Sequence, residues 1–238
     1  MSGALPWRRT LATCLAALAL AGCGTGGPPP PPWRGEAAAA LERYQQAVLT
    51  GAERVAQADF RRARDALAAT GDATLVARAE LTRCAMQVAV LDFRDCAGFE
   101  SLRGDVAPPE HAYAAYLSGL PLSAAQVGLL PVQHRPVAEP ARAATPDAAA
   151  LRAIEDPVAR LVAAGVLLRG GRAAPAVAEL AADTASAQGW RRPLLAWLGV
   201  QLRLAERSGD GERVQQLQRR MALVAGEEAA RDGQGARP

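Results

Sequence analysis

Apolar residues recur every three or four positions through most of the chain, which is the spacing of an amphipathic α-helix. The first stripes predict one helix up to Gly51, a second up to Gly71 and a third over 73–91. The third stripe becomes apolar nearly all round after Cys84, as in a buried helix.

The second half repeats the pattern and adds clear start and stop signals. Asp156 followed by Pro157 predicts an N-cap and the first residue of a helix, which Gly170 ends. Three more helices are predicted, over 173–188, over 190–208 and after Gly211. Aromatic and β-branched residues favour strands, and this chain has few of them. We therefore expect an all-α fold built from antiparallel helices with short turns.

Two predicted helices carry a sequence echo. The segments LVAAGVLLR (161–169) and LAWLGVQLR (195–203) share Leu, Gly, Val, Leu and Arg at a separation of 34 residues, and LVARAELTR (75–83) repeats the pattern more weakly. We expect Gly165 and Gly199 to occupy equivalent positions where neighbouring helices come close.

A period of 34 residues is that of the tetratricopeptide family. Over 36–103 and 151–226 the chain resembles a degenerate tetratricopeptide array, although no single repeat carries the full family signature. The resemblance implies helix pairs stacked as a right-handed α-solenoid within a domain spanning 36–226, with a concave surface.

Between the two halves, residues 104–150 form a proline-rich connector. It predicts two short helices, near 109–118 and 123–130, followed by an exposed and largely irregular stretch from 131 to 146. Residues 227–238 are expected to form a disordered tail.

The chain begins with the layout of an export signal. Arg8 and Arg9 precede an apolar run over 11–21, which is shorter than the roughly 20 residues that a transmembrane helix needs. Sites of the small-x-small type, at 17–19 and 19–21, would release a soluble protein on cleavage.

The run ends in Leu20-Ala21-Gly22-Cys23, which resembles the lipobox of bacterial lipoproteins. The resemblance implies that 1–22 is a removed signal peptide and that Cys23 receives the lipid anchor. Residues 23–35, rich in glycine and proline, then form a tether. Trp33 at its end fits either the lipid interface or the start of the fold.

The positive charges are all arginine, and they are spread along the predicted helices beside acidic residues. The net charge is +3, and removing Arg8 and Arg9 leaves the body near +1. No basic run with interleaved aromatic residues occurs, so we expect no nucleic-acid partner.

Two cysteines remain in the body, Cys84 and Cys96. In an oxidising compartment a disulfide is the economical interpretation, locking an αα-hairpin if the chain reverses near Asp92. A metal pair lacks further ligands nearby, and a redox role would require Cys-x-x-Cys spacing. We therefore expect no metal and no cofactor.

No nucleophile elbow, phosphate loop, dinucleotide fingerprint or zinc-protease motif occurs in the sequence. His111 stands beside Glu110 at a predicted helix start, and His134 lies in the connector without an evident partner. Structural roles are the favoured interpretation of both histidines.

Two further groups allow a functional alternative. Asp92, Asp95 and Glu100 surround Cys96, where carboxylates could perform acid–base chemistry on glycans or simply form a turn and a helix cap. Trp190 and Trp197 could share a helix face as packing anchors or as a ligand platform. Structural roles are again favoured.

These features predict a non-enzymatic scaffold or adaptor, anchored by lipid in the bacterial envelope, with an unidentified envelope protein as partner. The expected location is the outer membrane, facing the periplasm. The alternative function is a peptidoglycan-acting enzyme or an activator of one. A carrier of small ligands or lipids is a third possibility, and it would need an internal cavity.

Overall fold

The structure is a computed structural model that describes residues 31–139 and 148–234, with side chains up to residue 226. Within these ranges the chain forms helices and turns and no strand, which confirms the all-α prediction for the described part. The signal segment, Cys23, residues 140–147 of the connector and residues 235–238 of the tail lie outside the described residues.

The helices of the first half are followed by short turns or 3₁₀ segments. They are α1 (Pro32–Thr50), α2 (Glu53–Ala68), α3 (Ala73–Ala89), α4 (Ala97–Glu100), α5 (Pro108–Leu117), α6 (Ala124–Leu129) and α7 (Arg135–Ala138). The helices of the second half are α8 (Ala148–Arg152), α9 (Pro157–Arg169), α10 (Pro175–Ala187), α11 (Arg191–Ser208) and α12 (Gly211–Gln234).

The first two helices form a hairpin around a small apolar seam. The predicted stripe of α2 is buried, and the Tyr44 ring of α1 packs on Phe60 with ring centroids 5.2 Å apart. Gly51 turns the chain between them with a φ of +87°, a conformation that glycine adopts without a steric penalty. Trp33 belongs to α1 and packs partly buried against the core, so it begins the fold.

Helix α3 lies at the centre of the molecule. It begins at Asp72, whose Oδ1 accepts the backbone N–H of Thr74 at 2.8 Å. Its side chains are buried on most of its circumference, and it contacts α1, α2, α5 and α9. A helix surrounded in this way needs apolar residues on all sides, as its sequence predicts.

The second half follows the predicted boundaries closely. Asp156 Oδ2 accepts the backbone N–H of Ala159 at 2.6 Å, and Pro157 opens α9. Gly209 ends α11 in the left-handed conformation, with a φ of +71°. Helix α10 packs between α9 and α11, and α12 packs on α11.

The two halves also meet directly. Helix α3 contacts α9, and α1 contacts α11, so an early helix and a late helix of the array touch. The Arg192 Nη1 atom lies 2.9 Å from Glu53 Oε2 at this junction. In an open solenoid each repeat contacts only its neighbours, so the α1–α11 contact is a departure from that arrangement.

The predicted close approach of helices is right at Gly165 and wrong at Gly199, so the two glycines are not in equivalent positions. A β-carbon at Gly165 would collide with the carbonyl group of Val88 and lie 2.8 Å from Val88 Cγ1, because α9 crosses α3 there. At Gly199 the nearest atom to such a β-carbon is Arg203 Nη1 at 3.7 Å. Gly199 therefore has room for a side chain and marks no close approach of helices.

The connector is more ordered than its proline content indicates. Helices α5 and α6 confirm the two short helices predicted, but residues 132–138 form a 3₁₀ turn followed by α7. The prediction of an irregular stretch is therefore wrong for residues 132–138, and the prediction of exposure is wrong for His134, Val137 and Ala138, which are buried. Proline is compatible with the first turn of a helix, where Pro136 stands.

The last helix extends into the segment predicted as a tail. Helix α12 reaches Gln234, beyond Gly226, where disorder was expected to begin. Residues 227–231 are glutamate, alanine and arginine, which all favour helix, and no proline interrupts them.

Candidate functional site

The structure places Cys84 and Cys96 at disulfide distance, with their Cα atoms 5.8 Å apart. The chain reverses at Leu91, which has a φ of +60°, next to the predicted turn at Asp92. Cys96 then immediately precedes α4, which has only four residues. The pair therefore joins the long helix α3 to a chain that folds back into a single helical turn, where the prediction was an αα-hairpin.

The three acidic residues near Cys96 do not form a common site. Asp92 Oδ2 lies 2.7 Å from Arg94 Nη2, while Glu100 accepts two hydrogen bonds from Arg103 at 2.7 Å each. Hydrogen bonding to Arg103 lowers the pKa of Glu100. Asp95 is exposed. These contacts agree with surface roles for the carboxylates and provide no paired acid and base.

The two histidines have different surroundings. His111 is half-buried in the first turn of α5, with its Nδ1 3.4 Å from Arg103 Nη1. His134, for which the sequence indicates no partner, is buried, and its Nδ1 lies 3.2 Å from the Tyr116 hydroxyl. Burial lowers the pKa of His134 to about 4, so the ring is neutral at pH 7 and can accept a hydrogen bond from Tyr116.

The two tryptophans are packing anchors, as the favoured interpretation has it. Trp190 precedes α11, and Trp197 lies two turns further along that helix. Both indole rings are buried in the core. Neither side chain lies on an open face, so they do not form a ligand platform.

Three buried carboxylates were not predicted from the sequence. Asp59, Glu80 and Glu110 are each at least 94 % buried, and each lies within 3.0 Å of an arginine nitrogen. The signal that could have found them is their position inside an apolar stripe, where a carboxylate requires a partner. Among the described residues no group of three or more histidine, cysteine or acidic side chains could hold a metal ion.

Glu110 lies at a cleft of about 400 Å³ between α3, α5 and the end of α6. We call it the α3–α6 cleft and define it by the residues that line it. They are Arg78, Leu81, Thr82, Pro109, Glu110, Tyr113, Leu129, Leu130 and Pro131. The cleft is of the size of small ligand sites, and most of its lining is apolar.

One polar group at this cleft is only half satisfied. The Arg78 Nε donates to Glu110 Oε1 at 2.8 Å, but Glu110 Oε2 is buried without a hydrogen-bond partner. A buried acceptor without a partner costs about 1–3 kcal/mol relative to a satisfied one. A donor brought by another molecule would recover part of that cost after a small shift of the side chain.

One lining residue of the cleft and one residue next to the lining in sequence are exposed apolar side chains. Leu129 is 40 % exposed, and Val132, next to Pro131, is 71 % exposed. Apolar side chains grouped on a surface beside an apolar cleft indicate a place where another molecule binds. This cleft is the candidate interaction site.

The chain was compared with protein-family models, curated proteins and solved structures. No protein-family model matches it, and neither the curated proteins nor the solved structures include a match. In the part of the chain that the structure describes, every helix is too short or too polar to traverse a bilayer.

Proposed function

We propose that this protein is a lipid-anchored scaffold or adaptor in the bacterial cell envelope, which binds a protein partner at the α3–α6 cleft. The observation that carries the proposal is the apolar cleft, with exposed Leu129 in its lining and exposed Val132 next to the lining residue Pro131. The lipobox-like Leu20-Ala21-Gly22-Cys23 supports the anchor, with the outer membrane, facing the periplasm, as the proposed location.

We further propose that the hairpins α1–α2, α9–α10 and α11–α12 are tetratricopeptide-like units of a short right-handed α-solenoid. The 34-residue echo between α9 and α11 supports this assignment. Helix α1 also contacts α11, which an open solenoid would keep apart, so we place the partner at the α3–α6 cleft and not in a groove of the array.

The chemistry of the cleft specifies the partner segment. Leu81, Leu130 and Tyr113 offer an apolar lining, so the segment should insert an apolar side chain. Glu110 Oε2 lacks a donor, so the segment should also bring an N–H group, from a lysine, an arginine or an amide.

A photo-crosslinking amino acid at position 132 tests the proposal in intact cells. We expect one discrete protein adduct, and the same probe at Val55 on α2, which is 53 % exposed, should not form it. Leu129→Asp should reduce the adduct, since a charge in the lining opposes burial of an apolar segment. Equal adducts from positions 132 and 55, or an adduct indifferent to Leu129→Asp, would contradict the proposal.

The anchor is tested separately by Cys23→Ser. We expect the membrane fraction of the wild type to carry acyl mass on the mature protein and the variant to remain unlipidated and poorly processed. Intact-mass measurement decides the matter. A mature wild-type protein without acyl mass would remove the anchor but leave the cleft proposal standing.

A further inference from the structure

A second cavity, of about 350 Å³, lies between α1, α2, α3 and the start of α11. We call it the arginine pocket. The residues that determine its chemistry are Tyr44, Phe60, Arg61, Arg83, Arg94 and Arg192. It shares no lining residue with the α3–α6 cleft.

The inner wall of the pocket is aromatic. Tyr44 and Phe60 are each 5 % exposed, and the guanidinium carbon of Arg83 lies 4.8 Å from the centroid of the Phe60 ring. Burial raises the pKa of Tyr44, so its phenol stays neutral. The small uncovered parts of these two rings, together with Val48 and Val90, make up the apolar part of the pocket lining.

The rim of the pocket carries an excess of positive charge. Four arginines line it, against the two carboxylates of Glu53 and Asp92. Both carboxylates are already engaged, Glu53 with Arg192 at 2.9 Å and Asp92 with Arg94 at 2.7 Å. Of the lining arginines, this leaves Arg61 and Arg83 to attract an anion, and Arg83 has a partner outside the lining, Glu80.

The two remaining arginines differ in how far they are engaged. Arg83 pairs with Glu80, and Arg64 shares that carboxylate from the other side. Arg61 makes no hydrogen bond or ion pair with the described residues, and it is exposed at the mouth. One uncommitted guanidinium is the group that would bind a carboxylate through two parallel hydrogen bonds.

The start of α11 adds to the same field. Its N-cap residue, Trp190, makes no side-chain cap hydrogen bond, and no acidic residue occupies the first turn. Arg192 instead places a positive charge near the positive end of the helix dipole. Glu53 already places one anion there, 2.9 Å from Arg192, and a further anion in the pocket would be attracted by the same helix end.

We propose that the arginine pocket binds an organic carboxylate joined to an aromatic or apolar group. The carboxylate pairs with Arg61 and is attracted by Arg83, while the apolar group packs against the apolar part of the pocket lining. A single negative charge matches the single uncommitted guanidinium. The carboxylate has two possible sources, a free small molecule or the end of a polypeptide.

Calorimetric titration of the full-length mature protein tests the charge requirement. The probes are N-acetyl-phenylalanine and its uncharged amide. We expect the acid to bind at least tenfold more tightly, because charge-assisted hydrogen bonds are about twice as strong as neutral ones. Binding of the acid should weaken with added salt.

Matched variants locate the site. Arg61→Gln should weaken binding of the acid about tenfold, which is the effect expected when one charged hydrogen-bonding partner is lost. The control is Arg62→Gln, at the next residue on α2. Arg62 lies outside the pocket, near Asp59, and Asp59 keeps its bond to Arg43 at 3.0 Å when Arg62 is replaced. Circular dichroism confirms that both variants fold.

A second pair of probes, titrated in the same way, distinguishes the two sources of the carboxylate. The probes are a five-residue peptide that ends in phenylalanine and the same peptide with a C-terminal amide. Tighter binding of the peptide acid than of N-acetyl-phenylalanine identifies a chain end as the natural ligand, and the reverse identifies a small molecule. Equal affinity of acids and amides, no binding of either acid, or equal loss in Arg61→Gln and Arg62→Gln would overturn the proposal. None of these outcomes bears on the α3–α6 cleft or the lipid anchor.

Discussion

Buried carboxylates distinguish this core from a purely apolar helical core. Asp59, Glu80 and Glu110 are each held by an arginine whose own side chain reaches partly to solvent. Asp59 and Glu80 each contact a second arginine, whereas Glu110 contacts Arg78 alone among the described arginines. Removing Arg78 would therefore leave a charge buried without its partner, which is more damaging than the loss of a surface ion pair. The arginine-rich composition is therefore partly a requirement of the interior.

At the same scale, the two glycines of the echo make opposite predictions. Gly165→Ala should lower the free energy of unfolding by about 1–3 kcal/mol, since its β-carbon meets the Val88 backbone and overpacking costs about that much. Gly199→Ala should leave stability unchanged or raise it by up to about 1 kcal/mol, because alanine favours helix. Urea unfolding of both variants measures the difference, and equal losses would contradict the structure at Gly199.

The histidine buried beside Tyr116 predicts a pH dependence. Burial lowers the pKa of His134 to about 4, against about 6.5 in an unfolded chain. Between these values the unfolded state binds more protons, so stability is present above pH 6.5 and falls as the pH falls towards 4. The contribution lost is on the order of 3 kcal/mol.

The control variant for this prediction is His134→Gln, which removes the titrating imidazole and keeps every other titrating group. Denaturant unfolding between pH 7.5 and 4 should show a shallower slope in the variant. Parallel curves for the two proteins would mean that His134 is not buried in its neutral form.

At the scale of the element, the long helices were predictable from sequence and the connector was not. The stripe from Ala56 to Leu67 and the cap at Asp156 are local signals, and local signals determine where helices begin, end and bury a face. The burial of His134 and Val137 depends on packing against distant helices. Proline spacing carries no information about such contacts.

The candidate sites were less predictable still. Arg61 and Phe60 are adjacent in sequence, but Arg192 reaches the same pocket from a helix more than a hundred residues away. Nothing in the periodicity of α11 indicates that its first turn lies against α1. Only the cysteine pair, twelve residues apart, could be predicted as neighbours.

The cysteine staple between α3 and α4 makes a prediction at the element scale. The double variant Cys84→Ala/Cys96→Ala should lose about 3 kcal/mol of stability, the chain-entropy value for so short a loop. Urea unfolding measures the loss. Alkylation of the unfolded wild type without a reducing agent should leave both thiols unlabelled, and full labelling of both would show that the bond does not form.

At the scale of the whole molecule, the α1–α11 contact predicts cooperative unfolding. An open array of repeats can unfold from its ends, because each unit depends only on its neighbours. Here α1 depends on α2, α3 and α11. We therefore expect the fluorescence of Trp190 and Trp197, measured in a Trp33→Phe variant, and far-ultraviolet circular dichroism to give one coincident urea transition. Separate midpoints would indicate that the halves unfold independently.

The same contact has a consequence in time. The atoms of Glu53 and Arg192 that meet at the junction are separated by 139 residues of chain. Contacts between residues so far apart in sequence slow folding, because the intervening chain must be ordered before they form. As the chain emerges into the compartment where it folds, α1 and its hairpin partner α2 keep one apolar face uncovered until nearly the entire chain has followed. That interval is when the protein is most exposed to aggregation and most in need of a chaperone.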